Sequence, residues 1–404
     1  MDESKLAIHG GPPIRSKPLP YRKLFGKKEL EAVTKVFEDS WREGVDFGFQ
    51  GKYEKLYTDK FCEFQGGGFA DGVSSGTAAV YLALKVLYLE PGSDVITSPV
   101  TNPGSISSII LQGMNIVVAD SQPNTFLLGP DEFEAALTPN TRAAVLTHSG
   151  GYPIDMNPIV EIAESKGIKI IEDGSQAHGA LYKGKRVGRF GDIAAFSTMF
   201  SKTLATGGCG GLVYTENEEY YWPIRSHADR GKPFHISDFS QRRFDEYLFP
   251  ALNFNLDELS CAIGLSTLSR LQKTIDKRFE ITRKIDEALD ASSVVSPALK
   301  PQYDCKPSIF FHTVMVDVDK LKVSKKEFAE AVAAEGIWVN PDYREVVSEW
   351  KWLQSYLKRG THTPNASDFR DRTFNILLNE RFSDEDIEDV IASILKVESV
   401  LAKT

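Results

Sequence analysis

A lysine, two carboxylates and a group of hydroxyls and glycines fall within one short stretch of this chain. The run Ile168-Lys-Ile-Ile171 reads as an apolar strand that ends in Glu172 and Asp173 and turns at Gly174. A second run, Ile193-Ala-Ala-Phe-Ser197, leads to Lys202, and Gly207, Gly208, Gly210 and Gly211 follow at once. In doubly wound sheets ligands bind beyond the carboxyl ends of the strands, where loops present polar groups on a rigid base. An acid, a hydroxyl and an amine so placed suit pyridoxal phosphate. That cofactor needs a lysine amine for a Schiff base, a carboxylate to keep its pyridine nitrogen protonated, and donors for its phosphate. Lys202, Asp173 and Ser197 supply one of each. Singly they mean little, because a lone lysine is ordinarily a solvated surface group and Asp-Gly is ordinarily a turn.

The elements that must hold these groups alternate. Lys27 to Phe37 carries a helical stripe of Leu30, Val33, Val36 and Phe37, Gly44 to Gly51 reads as a loop, and Tyr53 to Phe64 as a helix. Phe69 to Val73 leads into Ser74-Ser-Gly-Thr-Ala78 and an apolar helix through Leu89. A turn of small residues that opens a helix can point backbone N–H groups at a phosphate, although it also makes an ordinary N-cap. Strands are then expected at 94–98, 115–120, 142–148 and 169–172, with helices at 104–112, 130–137 and 158–166 between them, the pattern of a βαβ series and a mostly parallel sheet. No G-x-G-x-x-G follows any of these strands, which argues against a dinucleotide site.

Beyond the glycine cluster, 211–214 reads as a strand and 218–225 as a helix. Arg230, Lys232, Arg242 and Arg243 then form a candidate clamp for a phosphorylated substrate, against the plainer reading of a solvated loop. Leu256 to Leu289 has helical spacing throughout and is expected to bridge two domains. The remainder reads as a small α+β unit, with strands at 309–316 and 337–339, a helix opened by the capping box Ser324-x-x-Glu327, and a last helix from Ser383.

With 404 residues, 42% of them hydrophobic, the chain can bury a large core and is too long for one ordinary domain. The expected division is 1–255, with an N-terminal arm over 1–26, and 256–404. The opening residues show no secretory pattern and no run reaches membrane-spanning length, so a cytoplasmic protein without membrane contact is expected. Cys62, Cys209, Cys261 and Cys305 are scattered, with no metal spacing, and read as free thiols. A net charge of −9 argues against nucleic acid as a partner.

EDGSQAHGA, G-x-F-G-D, F-S, a lysine and a glycine cluster, in that order, resemble the core of the DegT/DnrJ/EryC1/StrS sugar aminotransferases. The resemblance runs from about Lys27 to the C-terminus and is strongest between Ser74 and Gly264. It implies fold type I, as in aspartate aminotransferase: an α/β large domain with a seven-stranded, mostly parallel sheet flanked by helices, plus a smaller C-terminal α+β domain. It further implies that Asp173 pairs with the pyridine nitrogen, that Gln176 contacts the ring region with His178 close by, that Gly76, Thr77 and Ser197 hold the phosphate, and that Lys202 is the Schiff-base lysine. LNFNLDELSCAIGL is similar to the family's G-Y-N-Y-R stretch, in which the asparagine reaches the other subunit's phosphate. Asn253 falls there, implying a homodimer with shared active sites.

Two positions depart from the family. Asn102, in TNPGS, stands where an aromatic ring usually stacks on the cofactor, and Asn255 stands where arginine is common. His148, by contrast, reads as a satisfied polar group rather than a catalyst. The activity implied is amino transfer from glutamate or glutamine to a keto-sugar, nucleotide-linked or a cyclitol. Related dehydratases often carry histidine at the lysine position, so Lys202 favours transfer over dehydration. A silent regulatory relative is the remaining alternative, and such a protein would be colourless as purified.

Overall fold

Apolar strands and capped helices close into two main sheets in the computed structural model, which describes residues 3–236, 239–240 and 243–403. Helices α1 (Lys27–Glu43) and α2 (Lys52–Gln65) precede β1 (Phe69–Val73) and α3 (Gly76–Lys85). The alternating series follows: β2 (Asp94–Thr97), α4 (Pro103–Ile110), β3 (Asn115–Val118), α5 (Pro130–Ala135), β4 (Thr141–Thr147), α6 (Met156–Ser165) and β5 (Lys169–Asp173). A short hairpin of β6 (Leu181–Tyr182) and β7 (Lys185–Arg186) leads to β8 (Ile193–Ser197) and β9 (Gly211–Thr215). Then come α7 (Glu218–Ala228), α8 (Glu258–Leu268), α9 (Leu271–Leu289), β10 (Val295–Pro297), β11 (Cys305–Lys306) and β12 (His312–Val316). The chain finishes with α10 (Lys325–Ala334), β13 (Val339–Asn340), α11 (Pro364–Asp371), β14 (Thr373–Ile376) and α12 (Asp384–Leu401).

Seven strands form the large sheet in the order β1-β9-β8-β5-β4-β2-β3. Pairing is parallel from β8 through β5, β4 and β2 to β3. Strand β9 runs antiparallel to both β1 and β8. Residues 198–210 contain no helix to carry the chain over the sheet, so it turns back directly and β9 takes the opposite direction. Both faces of the sheet are covered. Alternate side chains serve opposite cores: Val95, Val145, Ile171 and Val213 pack with Leu82, Ile106 and Ile224, whereas Ile96, Leu146 and Ile170 pack with Ile159, Ile281 and Ile285. Each such side chain contributes about 1.5–3 kcal/mol by leaving water.

The second sheet, β10-β12-β14-β13, is antiparallel throughout. Its Val314, Phe374 and Ile376 share one continuous core with Ile96 and Leu146 of the large sheet. The capping box expected at Ser324 is formed, and Ser383, expected only to open the last helix, forms one with Asp386 as well. The N-terminal arm lies against the second sheet's helices: Glu335 accepts from Ala7 N and Ile14 N at 3.0 Å, and Arg15 pairs with Asp386 and Asp389. The expected helical bridge of 256–289 is two helices. Here α8 packs on α1 and α2, while α9 packs on α12 and β10. Helix α3 stops at Lys85 rather than continuing to Leu89, because the chain turns at Tyr88, whose φ is 49°.

The two carboxylates that end β5 are separated by strand alternation. Glu172 points into the interior with no exposure, and Asp173 points the other way. Glu172 accepts from the backbone N–H groups of Gly188 at 2.8 Å and of Phe190 and Gly191 at 2.7 Å, and from His148 Nε2 at 3.2 Å. His148 Nδ1 accepts from Ile154 N at 3.0 Å, which assigns the ring proton to Nε2. His148 is thus a satisfied core group. Burial raises the Glu172 carboxyl pKa, but His148 and the backbone donors outweigh it and the net direction is downward from 4.5.

A carboxyl with a depressed folded pKa stabilises the protein above its unfolded pKa, and that contribution is lost as pH falls through the folded value. Glu172→Ala should therefore lose about 3–5 kcal/mol at neutral pH, because three N–H groups and His148 are left unpaired. Urea denaturation of both proteins across acid pH measures the gap, which should narrow below the ordinary carboxylate range. A gap of the same size at every pH would contradict an ionised Glu172.

Candidate active site

A cavity of about 200 Å³ lies where β5 and β8 end and α3 and α4 begin. Gly76, Thr77, Asn102, Asp173, Gln176, Ser197 and Lys202 all line it. Ser75 caps α3 by accepting from Ala78 N at 3.0 Å, so the earlier N–H groups of Gly76 and Thr77 have no partner in the helix. A Cβ on Gly76 would sit 2.5 Å from Ser197 Cβ; glycine lets the helix start come this close to the end of β8. A Cβ on Gly104 would meet Thr77 Oγ1 at 2.4 Å, which brings the start of α4 equally near. One end of the cavity therefore offers free N–H groups, two hydroxyls and a helix dipole, a setting for an anion.

Asp173 lies on the cavity wall, held through both oxygens. Oδ2 accepts from Ser105 Oγ at 2.7 Å and Oδ1 from Ser175 N at 3.0 Å. Ser175 Oγ in turn accepts from Ser197 N at 3.0 Å, so the carboxylate and the Ser197 end of the cavity share one network. Gln176 is fixed by Gly150 N, which donates to its Oε1 at 2.7 Å. Asn102 caps α4 through Gly104 N at 3.1 Å and faces the cavity as an amide. Lys202 is half-buried, with Nζ 4.8 Å from the centroid of the Phe310 ring. Burial lowers its pKa, and the carboxylates of Asp173 and Glu345 work against that shift.

The loop behind Lys202 is anchored by a residue far away in sequence. Arg22 donates to the carbonyls of Lys202 and of Thr203, the latter at 2.8 Å, and pairs with Glu380 at 2.9 Å. Glu380 also pairs with Arg278 at 2.9 Å. A backbone segment gripped in this way holds its lysine at a fixed height in the cavity.

His178 and Asn253 do not line the cavity. His178 is 1% exposed, packs its ring 5.5 Å from that of Phe196, and makes no well-formed side-chain hydrogen bond, although the Ser197 backbone lies toward it. Burial first, then the charges of Lys202 and Arg22, push its pKa down to about 3, so it is neutral. Asn253 is exposed and accepts from the backbone and side chain of Asn255 at 3.1 and 2.7 Å. Asn255 itself accepts from Gln50 Nε2 at 2.9 Å. The candidate clamp is not assembled either. Arg230 and Lys232 both pair with Asp229, Arg243 pairs with Glu246 at 2.6 Å, and Arg242 lies outside the described residues.

Ser105, Ser175, Glu345, Phe310 and Arg22 were not singled out from sequence. Two of these had a local signal: Ser105 stands three residues after the helix-capping Asn102 and so faces the same side as the cap, and Ser175 lies within EDGSQAHGA, two residues after Asp173. Cys209, read only as a scattered thiol, also lines the cavity. Next to Asn102, at Pro103, a larger groove of about 620 Å³ continues past Glu345 to Trp350 and Trp352. Among the described residues no His, Cys, Asp and Glu group of three or more could hold a metal ion, and no helix is long and apolar enough to cross a membrane.

The model of the DegT/DnrJ/EryC1/StrS aminotransferase family matches residues 24–395. The spore coat polysaccharide biosynthesis protein SpsC of Bacillus subtilis is 31% identical over 389 residues, covering 93% of this chain and 96% of that protein. An aminotransferase from Psychrobacter cryohalolentis, solved by X-ray methods, is 25% identical with a TM-score of 0.88 over 95% of this chain and 100% of that one. The E. coli GDP-4-keto-6-deoxy-D-mannose-3-dehydratase, solved with bound hydrated PLP, is 21% identical and shares the fold at a TM-score of 0.82 over 93% of this chain and 98% of that one. A match to the family model from before α1 to within α12 leaves no major element outside it, and the chain belongs to the DegT/DnrJ/EryC1/StrS aminotransferase family.

Proposed function

We propose that the protein is a pyridoxal phosphate-dependent aminotransferase that moves an amino group from glutamate or glutamine to a keto group on a sugar, nucleotide-linked or a cyclitol. The observation that carries this reading is the half-buried Lys202 amine in one cavity with the doubly anchored Asp173, at whose far end the start of α3 meets Ser197. The residues fit the cofactor: the N–H groups of Gly76 and Thr77 with the hydroxyls of Thr77 and Ser197 would hold its phosphate, Asp173 its ring nitrogen, and Asn102 would lie over its ring.

When bound, pyridoxal phosphate supplies a carbon that accepts the amino group and a protonated ring that draws electrons from the neighbouring bonds. The chain's own groups do the rest. Asp173, aimed by Ser105 and Ser175, would accept a hydrogen bond from the ring N–H and hold that proton in place. Burial favours the neutral form of the Lys202 amine, so that Nζ can take the proton from the substrate carbon and return it. The groove beyond Pro103 gives the rest of a sugar substrate room outside the cofactor cavity. The fold serves both transfer and dehydration, and the amine at Lys202 is the feature that favours transfer.

The proposal extends to a homodimer in which Asn253 of the partner subunit completes the phosphate site. Asn253 is exposed in its own chain, and large apolar side chains stand in water close in sequence to Lys202 and to Asn253: Phe200 is 61% exposed and Leu252 58%. Apolar surface of that kind favours burial against another chain. All four cysteines are unpaired, which suits a cytoplasmic setting. The reaction itself is tested by a panel of keto-sugar nucleotides and cyclitol ketones offered with glutamate or glutamine; no amino product from any pair would contradict it.

Lys202→Ala should fold normally yet lose the borohydride-reducible link to the cofactor, as read by peptide mapping. A reducible adduct on Lys183 or Lys185 would reject the assignment. Ser105→Ala should keep the cofactor but lower kcat by roughly ten- to a hundredfold, corresponding to one charged hydrogen bond of about 1.5–3 kcal/mol. An unchanged kcat would remove Ser105 as a positioning residue. For the shared site, Lys202→Ala and Asn253→Ala chains, each inactive alone, should regain activity when refolded together, because one site of each mixed dimer is then intact. Mixed dimers with no recovered activity would mean that Asn253 does not serve the partner's site.

A further inference from the structure

We propose that a second cavity, of about 270 Å³, binds a phosphoryl anion at a place distinct from the Lys202 cavity. The two share no lining residue. The Lys202 side chain enters the first cavity, and Arg22, which grips the carbonyls of Lys202 and Thr203, lines the second. Three distant segments converge there. The N-terminal arm brings Arg22 and Lys23, the start of α9 brings Arg270, Lys273 and Lys277, and the link from β14 to α12 brings Arg381. Lys273 and Lys277 are four residues apart and share a helix face.

Six cations thus line one concavity in a chain whose net charge is −9, and Glu380 is the one carboxylate among the lining residues. Neighbouring acids match only part of this charge. Arg270 pairs with Glu29 at 2.7 Å and Lys277 with Glu280 at 3.2 Å, while Glu380 is divided between Arg22 and the buried Arg278. Lys23, Lys273 and Arg381 make no ion pair among the described residues, and all three are exposed. Lys23 is moreover held in the left-handed region, with a φ of 46°, a conformation a lysine seldom adopts without support from its surroundings.

Like charges gathered in a concave site raise the local potential and draw an anion of high charge. The fixed guanidinium of Arg22 provides a rigid donor, and the flexible lysines can close on several oxygens at once. A diphosphate has the charge and the span to use cations spread around such a cavity, whereas a single carboxylate does not. The site differs in kind from the Ser197 end of the first cavity, which uses N–H groups and hydroxyls and has no arginine in its lining. It stands independently of how the Lys202 cavity is read.

The same chemistry could come from the diphosphate of a nucleotide-linked compound or from a free phosphoryl anion. Calorimetric titration of the full-length, cofactor-saturated protein with inorganic pyrophosphate and, separately, with uridine diphosphate distinguishes them. The comparison is with a Lys23→Ala, Lys273→Ala, Arg381→Ala variant, whose exposed positions leave the fold and the cofactor absorbance unchanged. Pyrophosphate should bind at low salt, weaken as salt rises, and lose roughly tenfold or more in affinity in the variant. Uridine diphosphate bound with the same dependence and displaced by pyrophosphate identifies a nucleotide-borne diphosphate; pyrophosphate bound alone identifies a free anion. No pyrophosphate binding at low salt, or equal affinity in protein and variant, overturns the proposal.

Discussion

The buried carboxylate of Glu172 ties the end of β5 to two loops at once. Its four donors come from His148 just after β4 and from residues 188–191 just before β8, so one side chain ties the carboxyl ends of β4 and β5 to the loop that enters β8. The geometry of the cavity follows from that anchor. A residue later the strand points the opposite way, and Asp173 enters the cavity at a position its own flexibility does not decide. Ser105 and Ser175 then orient it, and Ser175 passes the register on to Ser197. A desolvated carboxylate with every donor in place costs little, whereas the same group with one donor missing is expensive, so this network forms as a unit.

The lysine is supported differently. It stands on a loop without helix or strand, and the restraint comes from outside: Arg22 grips two successive carbonyls and is itself held by Glu380. Arg22 belongs to the N-terminal arm, whose earlier residues are docked on α10 and α12. The height of Lys202 above Asp173 therefore depends on the second sheet and its helices being folded. Phe310, which leads into β12, covers the amine from the same side. The loop that carries Lys202 is thus fixed from the side of the second sheet, while the cavity lining itself comes from residues 75–210.

Much of the large sheet was legible because its strands are short apolar runs separated by helical spacing, and the lining of the candidate site was legible where it is local. The Asp173, Ser197 and Lys202 series and the Gly76-Thr77 turn are contiguous patterns, and they do line one cavity. What could not be read came from separation or from silence in the pattern. Arg22 and Glu345 reach the Lys202 region from opposite ends of the chain. The reversal of β9 leaves no mark on hydrophobicity, since a buried strand looks alike in either direction. The stop of α3 before Leu87-Tyr88-Leu89 is hidden by their apolar character, and the break between α8 and α9 falls at Ser269-Arg270 without a glycine or proline. His178 shows the converse case, a residue within the EDGSQAHGA motif whose ring packs on Phe196 instead of lining the cavity.

The central claim is that one cavity places an amine, a carboxylate and an anion site at the three points pyridoxal phosphate requires. A crystal structure of the protein grown with pyridoxal phosphate tests it most directly. The account predicts continuous density from Lys202 Nζ to the cofactor, the ring nitrogen within hydrogen-bonding distance of Asp173, and the phosphate at the N–H groups of Gly76 and Thr77 beside Ser197. Density joined to another lysine, or a phosphate lying away from the start of α3, would contradict it.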